Sequence, residues 1–166
     1  GRSAAEEGGA SMLRGIGVIL ITAILLILTV LSGFVVMRRL VSQIYVGAGT
    51  AASAAGNIDE ALAHAKNALR VEQTPDTLRL AADVGVQKLA AIAADTALSP
   101  EVARAAFAKE VSTAIAAAQA ATGAAPADYR SYISLARVYD LLASLKVDQA
   151  YQNAEAAYVE AIKHNP

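Results

Sequence analysis

The chain has 166 residues, a formal net charge of −1 and no cysteine. Disulfides, thiolate metal sites and a cysteine nucleophile are thereby excluded. Beyond Met37 there are twelve Lys/Arg and thirteen Asp/Glu, spread without runs. That spread excludes the clustered positive charge of a nucleic-acid surface, and any polybasic lipid patch beyond Arg38 and Arg39. Alanine contributes about forty residues. With Leu, Glu, Lys, Gln and Arg it favours helix throughout, so the fold class expected is all-α.

Residues 1–12 (GRSAAEEGGASM) are small and polar, and read as a loop. A transmembrane helix is expected over 13–39. Its centre, Gly15 to Met37, is 23 residues without a charge, about fifteen of them Leu, Ile, Val or Phe. At about 1.5 Å per residue the run is roughly 34 Å long, against a hydrocarbon core of about 30 Å. Its strongly apolar residues contribute on the order of −5 to −9 kcal/mol to insertion. A cleaved signal peptide is the rival. Its apolar core would be about 7–15 residues and a small-residue site would follow closely. Here Arg38 and Arg39 follow, and AASAAG begins only at Ala51. A retained anchor fits better. A partner in the form of a lipid bilayer is therefore expected.

The segment from Arg38 can continue the same helix to the turn at Gly56-Asn57. Asn57 or Asp59 then caps a helix to about Val71. Its apolar stripe is Ile58, Ala61, Leu62, Ala65, Ala68 and Leu69. Gln73-Thr74-Pro75-Asp76 is a turn, with Thr74 or Asp76 as cap. The next stripe is Leu78, Ala82, Gly85, Leu89 and Ile92, ending near Ala97. Ser99-Pro100-Glu101 opens another helix: Ser caps, Pro fits the first turn, Glu suits the positive dipole end. That helix stops at Gly123. Asp128 opens a fifth, with Tyr132, Leu135, Ala136, Tyr139 and Leu142. A loop through Lys146 to Gln149 precedes the sixth, with Tyr151, Ala154, Tyr158, Ala161 and Ile162. No segment alternates with period two, so no sheet is expected.

Two hairpins share a pattern. Tyr45, Ala48, Gly49 and Ala52 have the spacing of Tyr132, Leu135, Ala136 and Tyr139. In the following helices Ile58, Ala61, Ala65 and Ala68 match Tyr151, Ala154, Tyr158 and Ala161. Small residues at Gly49 and Ala136 would let the paired helices approach closely. This pattern resembles the tetratricopeptide repeat (TPR). YISLARVY stands where that family has W-x-x-L-G-x-x-Y, with Tyr132 for Trp and Ala136 for Gly. Ala154, Tyr158, Ala161 and Pro166 match its second helix and closing Pro. The resemblance divides 40–166 into a repeat-like hairpin over 40–72, an irregular helix pair over 76–122, and a TPR hairpin over 127–166 that is six residues longer than a strict repeat. The chain from 15 to 166 also resembles the C-terminal part of bacterial O-antigen ligase-like membrane proteins with such repeats. That resemblance implies a preceding multi-helix domain handling lipid-linked glycans, in a bacterial inner (plasma) membrane. No catalytic residue carries over onto this chain.

The TPR resemblance implies a concave face that binds an extended peptide or partner helix. Ser53, Arg130, Ser134 and Arg137 are the candidate partner-binding residues. No catalytic, cofactor or metal site is expected. His64 lies among small residues, and His164 sits at a helix end that favours a cation. Asp59-Glu60 point apart on a first turn, where capping explains them. Gly47 and Gly49 lack the strand and the Lys-Ser/Thr of a phosphate loop, and read as packing glycines. The tyrosines of the final hairpin are expected mainly in the core.

Three functional readings result. The first is a membrane-anchored scaffold that mediates protein–protein interaction. The second is the accessory region of a glycan ligase or polymerase. The third is an oligomerisation domain using its Ala-rich faces. Gly at position 1 in place of Met suggests a start inside a longer protein. Arg2 and Arg14 balance Arg38 and Arg39 across the apolar run, so the positive-inside count is tied. The adjacency of Arg38 and Arg39 leans toward a cytoplasmic helical domain.

Overall fold

A computed structural model describes the backbone of residues 4–165 and the side chains of residues 19–165. Six helices follow in order: α1 (Ala4–Ala54), α2 (Ile58–Val71), α3 (Pro75–Ala94), α4 (Pro100–Ala124), α5 (Tyr129–Ser144) and α6 (Ala150–His164). No strand occurs among the described residues. The chain divides into two units, up to Arg39 and from Leu40 onward.

In the first unit α1 begins at Ala4, which corrects the loop expected over 1–12. Ala4, Ala5, Glu6, Glu7 and Ala10 are good helix formers, and Gly8-Gly9 do not outweigh them. Positions 1–3 lie outside the described residues. From Ile19 to Met37 the large apolar side chains stand exposed along the helix. Among the described helices, α1 is the one long and apolar enough to cross a membrane. The Arg38 guanidinium lies 5.9 Å from the centre of the Phe34 ring, one turn back, a cation–π contact at the end of the apolar run.

The second unit holds the end of α1, residues 40–54, and α2 to α6. The turn before α2 uses Gly56 at φ 79°, a left-handed conformation that glycine adopts without a Cβ clash. Asn57 is the residue before α2, yet its side chain makes no cap. Its amide instead donates to Glu60 at 3.4 Å. Thr74 caps α3 reciprocally with Thr77, and Pro75 fills the first helical position. Ser99 accepts from the Val102 amide to cap α4. Asp128 caps α5 by accepting from the Arg130 amide at 3.1 Å. Gly123 does not end α4, which runs on to Ala124.

Helices α3 and α4 pack along each other, as do α5 and α6. Helix α2 packs on α3, α4 on α5, and α3 on α5. Among the described residues α2 does not pack on α4, nor α4 on α6. Over the stretch expected to form an irregular pair, 76–122, α3 and α4 pack along each other as a hairpin, with α2 and α5 against them. Its core is joined to α5 and α6 through Ala82, Leu89, Ala114, Ala118, Val138, Leu142 and Ala150. A second cluster joins α1, α2 and α3 through Ala52, Ala61, Ala65, Leu80 and Val84. Alanines set the close spacing. A Cβ on Gly49 would lie 2.8 Å from Leu80 Cδ2 and 3.1 Å from His64 Cβ. One on Gly85 would lie 3.0 Å from Ala114 Cβ. Gly49 and Gly85 are therefore packing residues. Gly47 is not, because a Cβ there would meet nothing within 4 Å.

Candidate interaction groove

Helix α3 carries Asp76, Arg79, Asp83 and Gln87 at steps of three and four, which place them on one face. That face meets α1 on one side and α5 on the other. Toward α1, Gln43 Nε2 donates to Asp76 at 3.2 Å and Gln87 Nε2 donates to Ser53 Oγ at 2.7 Å. Toward α5, Arg79 Nη1 donates to Asp128 at 2.6 Å and to Ser131 Oγ at 3.3 Å. Ser134 Oγ donates to Asp83 Oδ1 at 2.5 Å. Arg79 also pairs with Asp76 one turn back.

Arg79 is only 9% exposed. A guanidinium taken that far from water needs acceptors on most of its N–H groups. Asp76, Asp128 and Ser131 supply them. Asp128 is held in turn by Arg130, whose Nε and Nη2 donate to its two oxygens at 3.0 Å each. The hydrogen bond from the Arg130 side chain, helped by its backbone N–H and by the charge of Arg79, outweighs burial and lowers the Asp128 pKa from 3.8 to about 2. The same hydrogen bond raises the pKa of Arg130.

Between α1 and α3 this face opens into a groove of about 200 Å³, lined by Val46, Thr50, Ser53, Asp76, Arg79, Leu80 and Asp83. The four residues singled out from sequence flank α3. Ser53 is half-buried and lines the groove. Ser134 is buried, so its hydroxyl ties α5 to α3 and does not face outward. Arg130 and Arg137 are exposed, and Arg137 Nη1 stands 4.0 Å from Asp83. Sequence reasoning missed Asp76, Arg79, Asp83 and Gln87. Their signal was a polar stripe at helical spacing inside DTLRLAADVGVQKL.

The remaining chemistry-bearing residues are placed elsewhere. His64 Nε2 is 3.7 Å from Glu60, and its ring is tilted against Tyr45 at 6.1 Å. His164 stacks on Tyr132 at 5.3 Å. Among the described residues, no three His, Cys, Asp or Glu converge as metal ligands would. The tyrosines expected mainly in the core divide: Tyr139 packs against it, whereas those of α6 do not. Tyr151 and Tyr158 are exposed, and Tyr129, Tyr132 and Tyr139 are half-buried. Ala150, Ala154, Ala157 and Ala161 occupy the inner face of α6 and turn its tyrosines outward. No family model, curated protein or solved structure matches the chain.

Proposed function

We propose that residues 40–165 form a TPR-like helical-hairpin solenoid that binds an extended segment of a partner protein, and that the apolar stretch of α1 anchors it in a membrane. The chain itself carries out no catalysis in this reading. The observation that carries it is the polar face of α3, which meets α1 on one side and α5 on the other. Alternate helices thereby share one surface, while α2, α4 and α6 pack behind or between them. In a repeat solenoid this is the relation among the first helices of successive hairpins, and their common face is the binding surface. The groove offers the carboxylates of Asp76 and Asp83, and the exposed guanidinium of Arg137 on α5 stands 4.0 Å from Asp83 beside it, which suits an extended backbone with mixed polar side chains. A bacterial inner membrane is the location that the ligase-like resemblance implies for the anchor.

Selection of displayed random peptides on the full chain in detergent tests the binding reading. Selected peptides should lose about tenfold in affinity to Arg137→Glu, while Thr113→Glu on exposed α4 leaves binding unchanged. Peptides indifferent to Arg137→Glu, or a selection that enriches none, would overturn it.

A further inference from the structure

Most of the charge on the α3 face is matched within the chain. Asp76 accepts from Gln43 and pairs with Arg79. Asp128 accepts from Arg79 and from Arg130. Two ions are matched less fully. Asp83 accepts the Ser134 hydroxyl on Oδ1, and among the described residues its Oδ2 takes no hydrogen bond. Arg137 on α5 stands 4.0 Å from that Oδ1, beyond hydrogen-bond distance, and its side chain is 61% exposed. Among the described residues its guanidinium donates no hydrogen bond. An exposed ion pair held that loosely contributes little to folding. The fold thus leaves one carboxylate oxygen and one guanidinium fork open, side by side.

Asp83 lines the groove between α1 and α3, whose wall includes Val46 and Leu80. Among the lining residues two carboxylates face one guanidinium, and Asp128 neutralises that guanidinium as well. A cation is therefore favoured in the groove. The apolar wall suits a side chain with an aliphatic stem and a charged tip. Lysine fits better than arginine, because a bidentate guanidinium needs both carboxylate oxygens and Ser134 holds one of them. Arg137 offers the complement, an open fork for a carboxylate.

We infer that the extended partner segment carries a lysine and an acidic residue about three positions apart. The lysine enters the α1–α3 groove onto Asp83 Oδ2, and the acid takes Arg137. The spacing follows from the pair itself. Contacts of about 2.8 Å on the outer sides of two ions 4.0 Å apart put the ligand charges roughly 9–10 Å from each other. Three residues of polyproline-type chain cover about 9 Å and return the side chains to one face. The pattern presupposes that the face shared by α1, α3 and α5 binds an extended segment, and it can fail while that binding stands.

Pools of synthetic ten-residue peptides test it, each with two fixed charges three positions apart and uncharged residues elsewhere. Lys–Glu and Glu–Lys pools are compared with Lys–Lys and Glu–Glu pools for binding to the full chain in detergent, read by fluorescence anisotropy. At least one opposite-charge pool should bind about tenfold more tightly than either like-charge pool. Arg137→Glu, at an exposed site, should change the order so that the Lys–Lys pool binds best. Asp83→Asn keeps an acceptor for the Ser134 hydroxyl and should weaken the best pool about tenfold, with the far-UV circular dichroism unchanged. Equal binding of all four pools, or an order that Arg137→Glu leaves unchanged, would overturn the charge pattern. Displayed random peptides that still depend on Arg137 would then leave the binding surface in place, whereas a selection that enriches none would remove both.

Discussion

Arg79 in α3 donates to Asp128, the residue that caps α5, at 2.6 Å across 49 positions of sequence. One carboxylate therefore serves two helices. It accepts from the Arg130 amide in the first turn of α5 and neutralises a buried guanidinium of α3. Replacing Asp128 by Ala removes the cap and leaves Arg79 with Asp76 as its remaining carboxylate. Such a change costs about 2–4 kcal/mol, the sum of a lost cap and a half-compensated buried charge. Urea unfolding of the full chain in detergent measures it. Asp128→Asn, which keeps a capping oxygen, should cost less.

The same carboxylate, held chiefly by the hydrogen bond from the Arg130 side chain, sets a pH dependence. The folded pKa of Asp128 is about 2, below its ordinary 3.8, so the folded state favours the ionised form. Its contribution is complete above about pH 5 and is lost as pH falls through about 2. The shift corresponds to about 2 kcal/mol. The stability difference between the wild type and Asp128→Asn should hold constant from pH 7 to about pH 5 and shrink steadily below that. A difference that stays constant down to about pH 2 would remove the carboxylate from this role.

Three glycines in helices should respond oppositely to Ala. At Gly47 the new methyl meets open space, and the helix gains about 0.5–1 kcal/mol from reduced backbone entropy in the unfolded chain. At Gly49 and Gly85 the methyl enters occupied volume, and overpacking costs about 1–3 kcal/mol. Thermal melts of the three single variants separate the two behaviours.

The loop before α6 holds two non-glycine residues in left-handed conformations, Lys146 at φ 60° and Gln149 at φ 61°. Each costs roughly 1–2 kcal/mol for an L side chain, partly offset on going to Gly by the freer unfolded chain. Lys146→Gly and Gln149→Gly should each stabilise by about 0.5 kcal/mol, read by the midpoint of urea unfolding. Pro at either position should destabilise, because its ring forbids positive φ.

Helix positions were readable because caps and stripes are local. Ser99-Pro100-Glu101 and Thr74-Pro75 act within one turn, and both start helices where expected. The long apolar run needed only length and composition. The loop expected over 1–12 failed because Gly8-Gly9 weigh little beside alanines and glutamates on both sides. Tertiary roles were harder to read. Ser134 looked like a surface contact, and only its partner Asp83, 51 positions away, makes it a tie between helices. Nothing local marks Arg79 as buried; its role depends on α5, which places Asp128 and Ser131 against it. The apolar rings of Tyr151 and Tyr158 favour the core, whereas the close packing of this hairpin admits alanine on the inner face of α6.

The central claim is a binding surface shared by α1, α3 and α5. Photo-cross-linking from a benzoyl-phenylalanine placed in the full chain in its host cell tests it most directly. Probes at Thr50 and Arg137 should trap a partner protein, and probes at Glu101 and Thr113 on α4 should not, all four sites being exposed. Adducts from the α4 positions with none from Thr50 or Arg137 would contradict the account.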